Sequence, residues 1–439
     1  MAAAISLRSY LLVTTLSKSQ RTITLSFRDI SLEHTWDIDD LPWAAFNHPN
    51  RKQRYYDLVT SLDPDLVAAM QPHISTVSPN APHSEQKIHQ ASASAFLYLF
   101  LSLGSQQSPA CIYTLRSTIP IGAGLGSSAS TSVCIATALL IQSRALSGPH
   151  PDQLPEEAEK QLERINRWSF VGEMLIHGNP SGVDNTVASA GRAVLFKRQD
   201  YSKPPVVTLL PTFPELPLLL VDTRQSKSTA AEVAKVAHLK KTQPQIANHI
   251  LDAIDNVTES AHALISEPGF DSKNADSITK LGELVSINHG LLVSLGVSHP
   301  RIERLRQLVD VADIGWTKLT GSGGGGCAFT ILKPEEQNLL TGEELPVAQS
   351  TPTRSEALAL LQKQLEAEGF ERYETTLGGD GVGVLWPAVL QNGSDEAGGD
   401  EIDQEKFIAA QDREGVERLV GVSGGLHGAT REGWKFWRI

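Results

Sequence analysis

At 439 residues the chain is too long for one ordinary hydrophobic core, so two domains plus an appendage are expected. Hydrophobic residues make up 41% and charged residues 20%, a globular balance that excludes wholesale disorder, and a net charge of -12 opposes nucleic acid as a partner, because that affinity comes from clustered Lys and Arg on phosphates. Three cysteines, Cys111, Cys134 and Cys327, show neither metal-ligand spacing nor a disulfide framework and fit a reducing, cytoplasmic setting.

The first 28 residues hold Arg8, Lys18, Arg21 and Arg28 and no acid before Asp29, the superficial look of an organelle presequence. Their pattern is alternating rather than helical: Ile5, Leu7, Ser9, Leu11 and Val13 interleave with Ser6, Arg8 and Tyr10, and residues 22–27 alternate again, which predicts two strands. Turn residues and short helical patterns fill 37–82. A helix is expected over 85–103, stopped by Gly104, and then a strand, CIYTLRST. Next comes IPIGAGLGSSASTSVCIATALLIQ, a glycine-rich turn running straight into a helix. A further helix over 156–177 ends at Gly178, before HGNPSGVDN and a strand over 193–197. No uncharged apolar run approaches the roughly 20 residues that cross a bilayer, so no membrane insertion is expected.

The proline-rich stretch from Pro204 to Pro217 is the expected interdomain crossing. Beyond it lie the apolar strand LPLLLVD, helices over 230–240, 245–265 and 277–295, and a strand pair flanking Gly321 to Gly326. Residues 391–405 are acidic and read as a solvated linker, with Trp434, Phe436 and Trp437 in a tail expected to dock on the body. The expected division is therefore 1–203, 204–390 and a linker and tail over 391–439.

Four places carry chemistry. Gly122, Gly124 and Gly126 alternate with Ala123 and Leu125 ahead of Ser127 and Ser128 at a helix start. Glycines let the backbone approach phosphate oxygens, and the helix N-terminus favours negative charge, although a glycine turn capped by Ser127 or Ser128 accounts for the motif equally well when it is taken alone. No Lys follows as in a Walker A loop, and the third glycine is wrongly spaced for a dinucleotide fold. Glu173 shares a helical stripe with Leu162, Ile165, Ser169 and Ile176, so it is a buried magnesium ligand, an ion-pair partner of Arg164 or Arg167, or a partly exposed carboxylate. Asp184, in SGVDN, is either a turn or cap residue or a base that accepts a hydroxyl proton. The run KLTGSGGGGC, Lys318 to Cys327, carries five glycines whose ordering entropy a simple hairpin has no need to incur.

Together PIGAGLGSSA (Pro120 to Ala129), FVGEMLIHGNPSGVDN (Phe170 to Asn185), INHGLLVSLGVSHPRIERL (Ile287 to Leu305) and KLTGSGGGGC resemble, in family order, the mevalonate kinases of the GHMP kinase superfamily. The resemblance covers most of residues 1–390. It implies an α+β, two-domain GHMP-kinase fold: a ribosomal-protein-like α/β amino-terminal domain with a left-handed crossover, joined to a ferredoxin-like carboxyl-terminal domain. It further implies that Ser117 and Gly122, Ala123, Gly124, Leu125, Gly126, Ser127 and Ser128 bind ATP, that Ser128 and Glu173 hold Mg2+, and that Asp184 is the catalytic base acting on mevalonate. It leaves room for a homodimer.

One departure stands out. The family's first motif, Pro-Gly-Lys followed by Gly-Glu-His, precedes the strand that AAAISLRSYLLV resembles, and this chain starts there at Met1. Its lysine helps neutralise the transferred phosphate, so the expectation is an impaired or inactive chain and a longer natural form; Arg224 and Lys227, after the strand ending at Asp222, are candidates to contribute charge near the substrate. The alternatives are another GHMP small-molecule kinase and a nucleotide-binding homologue without turnover.

Overall fold

The computed structural model describes residues 1–47, 62–197, 205–334, 354–385, 402–422 and 433–438. They form two compact units. One comprises Ala2–Ile121, Gly126–Pro211 and Gly379–Ile439; the other comprises Met1, Gly122–Leu125 and Thr212–Gly378. The crossing falls inside the proline-rich stretch, while residues from Gly379 onward group with the amino-terminal unit. Most of the acidic stretch, 391–401, lies outside the described residues.

In the amino-terminal unit a four-stranded sheet runs in the order Ser9–Thr15, Cys111–Ser117, Thr22–Phe27, Leu32–Asp37, with the central pair parallel and its flanks antiparallel. In Thr22–Phe27 the alternate residues Ile23, Leu25 and Phe27 are buried, as a strand with one face on a core requires. The alternation over 5–13 enters the ladder only from Ser9 onward. The Leu32–Asp37 strand was not expected, since only Leu32 and Trp36 of LEHTWD are buried and the rest of its pattern is polar. Against the sheet lie the helices His83–Leu103, Ser127–Gln142 and Pro155–His177. The first is buried on every side from Ala95 to Leu101, the mark of a central helix. A three-stranded antiparallel sheet of Ala2–Ala3, Ala193–Lys197 and Val206–Leu210 completes this part.

The tail is built into the same unit. Arg116 donates through Nη1 to the carbonyls of Phe407 and Ala410, both at 2.9 Å, and through Nε to Asp29 at 3.2 Å, so carbonyls at the end of the Gln404–Ala409 helix are satisfied by a buried guanidinium. Trp437 is 1% exposed and donates to Gln161 Oε1 at 2.9 Å, while Trp434–Phe436 pairs with Gly383–Leu385. The expected docking of the tail aromatics is what the chain does.

The second unit carries an antiparallel sheet in the order Glu371–Leu377, Leu216–Asp222, Cys327–Leu332, Gly315–Leu319. Helices Pro300–Ala312 and Arg354–Ala367 bury Ile302, Leu305, Val309, Leu361 and Leu365 with Leu219, Val221 and Ala328 of the sheet. Pro300 and Pro244 open their helices at the first position, where a missing N–H costs nothing. Among the described residues no helix is long and apolar enough to cross a membrane.

Candidate active site

In the amino-terminal unit the helix Pro155–His177 brings Glu173 and His177, four residues apart, onto one face beside the first turn of Ser127–Gln142. The Ser128 hydroxyl lies 3.0 Å from His177 Nε2, and His177 Nε2 lies 4.0 Å from Glu173 Oε2. Glu173 is 4% exposed, and its Oε1 has no hydrogen-bond partner. Burial pushes its carboxyl up to about 7; a hydrogen bond from Ser128 opposes that shift, and the charge of Asp184 adds to it. The ion-pair alternative falls away: Arg167 pairs with Glu163, and Arg164 donates to the Ala145 carbonyl.

Of the two readings of Asp184, a turn or cap residue and a base, the structure speaks to the first, and Asp184 is not in a turn or cap. It stands instead in the first turn of a short helix, Val183–Ala190, entered through Gly182 at φ +85°. The Thr186 hydroxyl bonds back to the Gly182 carbonyl at 2.7 Å, and Asn185 is buried against Asn166, interactions with no periodic signature in so short a segment. Asp184 is exposed and lies against Gly126, where an added Cβ would come 3.3 Å from the Asp184 Cβ and 3.5 Å from its carboxyl carbon.

The alternation of the first glycine motif has a backbone cause. Gly122, Gly124 and Gly126 take φ of +78°, +76° and +74°, the left-handed region that side chains disfavour. The Ser127–Gln142 helix has no side-chain cap, so its first N–H groups have no capping hydroxyl, and the cap reading of Ser127 and Ser128 does not hold. Ser117 is engaged locally: its hydroxyl donates to the Ile119 carbonyl at 3.1 Å and lies 3.2 Å from the Ser9 hydroxyl, which in turn contacts Ser130.

In the second unit the run from Gly321 to Gly326 joins the strands Gly315–Leu319 and Cys327–Leu332, and every glycine in it has positive φ. Thr223 donates to the Gly326 carbonyl through N at 3.0 Å and Oγ1 at 2.7 Å, Gly326 N donates to Gln225 O at 2.9 Å, and Gly324 N donates to Val297 O at 2.7 Å. His289, buried and 3.0 Å from Glu303, accepts from Leu319 N at 3.4 Å; burial holds its imidazole below the usual value. The Ile287 to Leu305 motif therefore braces this loop. Segment Gly122–Leu125 belongs to the same unit, and an added Cβ on Gly326 would come 2.8 Å from the Ala123 carbonyl. Arg224, one of the two expected basic residues, pairs with Glu371 at 2.9 Å. Lys227 reaches both glycine segments.

Sequence reasoning missed His177, which its i, i+4 spacing from Glu173 could have flagged. Among the described residues no group of three or more His, Cys, Asp or Glu gathers to hold a metal. The donors present, one buried carboxylate with an unpartnered oxygen and one hydroxyl, still fit Mg2+, which commonly takes one or two protein ligands and completes its shell with phosphate and water.

Residues 91–191 match the family described as GHMP kinases N terminal domain, and residues 272–341 match GHMP kinases C terminal. The chain is 65% identical over 438 residues to a mevalonate kinase of Aspergillus fumigatus, covering 100% of this chain and 78% of that protein. It is 64% identical over 443 residues to a mevalonate kinase of Gibberella zeae, covering 100% and 83%. The crystal structure of L. major mevalonate kinase in complex with R-mevalonate is similar with a TM-score of 0.54 at 20% identity, covering 87% of this chain and 89% of that one, a likeness of fold.

Proposed function

Since the chain belongs to the GHMP kinase family, has its two-domain α+β fold and is similar along its whole length to mevalonate kinases, we infer that it transfers the γ-phosphoryl group of ATP to the primary hydroxyl of mevalonate, giving the 5-phosphate. Asp184 accepts the hydroxyl proton as that oxygen attacks, and the exposure of its carboxylate leaves room for an alcohol. The N–H groups of Gly122 to Ser128 and the start of the helix behind them bind phosphate oxygens. Glu173 and Ser128 hold Mg2+, and His177 orients the Ser128 hydroxyl. When bound there, the cation neutralises charge on the phosphates.

The observation that carries this reading is the convergence of Ser128, Glu173 and Asp184 within one compact unit, with a buried carboxylate oxygen that no protein group satisfies. Such an oxygen costs about 1–3 kcal/mol unless a ligand satisfies it. The three free cysteines support a cytoplasmic setting.

A mevalonate-dependent ADP-release assay tests the assignment, with the product identified as 5-phosphomevalonate. Turnover with mevalonate that disappears in Asp184→Asn is expected. Phosphorylation of homoserine or galactose but not mevalonate removes the acceptor assignment, and equal rates for both proteins remove Asp184 as the base.

A further inference from the structure

Resting on the reading of the glycine segments as the triphosphate site, we propose that Lys227 is a phosphate-binding cation of this kinase, its ammonium held at the junction of the two glycine loops to engage the β- and γ-phosphates. The second unit contains the whole arrangement. A Cβ on Gly124 would collide with Lys227 Nζ and Cε; one on Gly321 would come 3.4 Å from the same Nζ and 3.9 Å from the Gly124 carbonyl; and one on Gly326 would come 3.1 Å from Lys227 Cδ and 3.2 Å from Cε. One side chain thus touches one glycine of the first motif and two of the second. The absence of side chains at those three positions makes the channel it occupies.

The main chain fixes where that lysine starts. Thr223 and Gln225 are laced to Gly326 by three hydrogen bonds, so the segment leaving the strand Leu216–Asp222 is held along the second loop. Ser228 then caps the 14-residue helix Thr229–Thr242 through Ala231 N, and the Ser322 hydroxyl donates to Thr229 Oγ1 at 3.3 Å, pinning the helix start to the same loop. Lys227 sits between these two anchors. The helix N-terminus carries partial positive charge, as do the N–H groups of a loop in left-handed conformation, so an ammonium placed among them adds cation to cation. The first-turn acid Glu232 lies against Gly324, and both its oxygens accept from Lys235, at 2.8 and 2.9 Å. Concentrated positive charge at two glycine-lined backbones is the complement of a polyphosphate. A lysine suits this role because it is a point charge on a flexible stem, able to follow a γ-phosphoryl group as it moves.

Lys227 is half-buried, so its substitution leaves the core of the unit intact. The test is equilibrium binding of ATP, ADP and AMP, by calorimetry, to the wild type, Lys227→Ala and Lys227→Arg. Loss of a charge-assisted contact weakens ATP binding about 10- to 100-fold in Lys227→Ala, ADP less, and AMP by under about 2-fold, while Lys227→Arg keeps ATP within about 5-fold of wild type. Unchanged ATP affinity in Lys227→Ala overturns the proposal, and so does equal weakening of all three nucleotides, the pattern of a merely structural residue. The wild type is assayed in parallel for phosphorylation of mevalonate. If it binds ATP through Lys227 but does not phosphorylate mevalonate, the acceptor assignment fails and this one stands; if it phosphorylates mevalonate and Lys227→Ala binds ATP normally, the reverse holds.

Discussion

The cluster around Glu173 and the loop around Gly323 solve opposite problems. The first is made of side chains on helices, where Ser128, Glu173, His177 and Asp184 are positioned by scaffolds that would stand without their functional groups. The second is made of main chain, where Thr223, Gln225 and Val297 hold glycines whose φ and close contacts leave no room for a side chain. Removing a functional group from the cluster alters chemistry and barely alters folding. Adding an atom to the loop alters folding first.

The sharpest way to break that contrast is Asp184→Asn. With the exposed carboxylate in its proposed role as general base, kcat falls about 100- to 10,000-fold while the thermal midpoint and ATP affinity stay at wild-type values. A large drop in the midpoint in a calorimetric scan would put Asp184 among the structural residues instead.

Glu173 is the member of the cluster that does couple to stability. Burial raises its carboxyl from 4.5 to about 7, so above pH 4.5 the folded protein keeps a proton that the unfolded chain releases. The stability attached to that proton is complete below pH 4.5 and is lost as pH rises through 7, a change on the order of 3 kcal/mol. Glu173→Gln removes the decline, so urea midpoints at pH 5 and pH 8 draw together; a variant retaining the full wild-type decline contradicts the assignment. With Glu173 in its proposed role as an Mg2+ ligand, Mg2+-ATP affinity of the wild type measured by calorimetry weakens as pH falls below 7, because a protonated carboxyl is a poor ligand.

On the loop, Gly323→Ala combines φ of +76° with a Cβ driven into the Val297 carbonyl and costs about 2–3 kcal/mol, read as a lowered unfolding midpoint. Gly122→Ala separates the two contributions: φ is +78°, but an added Cβ meets nothing within 4 Å, so the cost is about 1–2 kcal/mol from conformation alone. Equal losses in the two variants would show that steric contact adds nothing. The smallest effect belongs to Ser128→Ala, which loses the hydroxyl facing His177 and costs about 1 kcal/mol or less in stability while weakening Mg2+-ATP binding several-fold.

Elements were legible wherever a local rule was strong. The strands over 22–27, 193–197 and 216–222 and the helix over 156–177 follow from alternation, apolar runs and glycine stops. The Leu32–Asp37 strand and the Val183–Ala190 helix escaped because a polar edge strand and an eight-residue helix are stabilised by partners far along the chain or by single side chains, and carry little periodicity of their own. Arg224 and Lys227 looked alike in sequence, three residues apart; only the fold sends one to Glu371 and the other to the glycine loops.

Residue order by itself determined which positions can carry unusual backbone and which can carry charge, because glycine spacing and helical periodicity act within a few residues. Tertiary structure alone decided that the Glu173 oxygen lacks a partner, that Val297 and Gln225 seat the second loop, and that Trp437 closes the core of the amino-terminal unit. Each depends on burial and on hydrogen bonds between segments tens to hundreds of residues apart, and no local pattern encodes the distance between them.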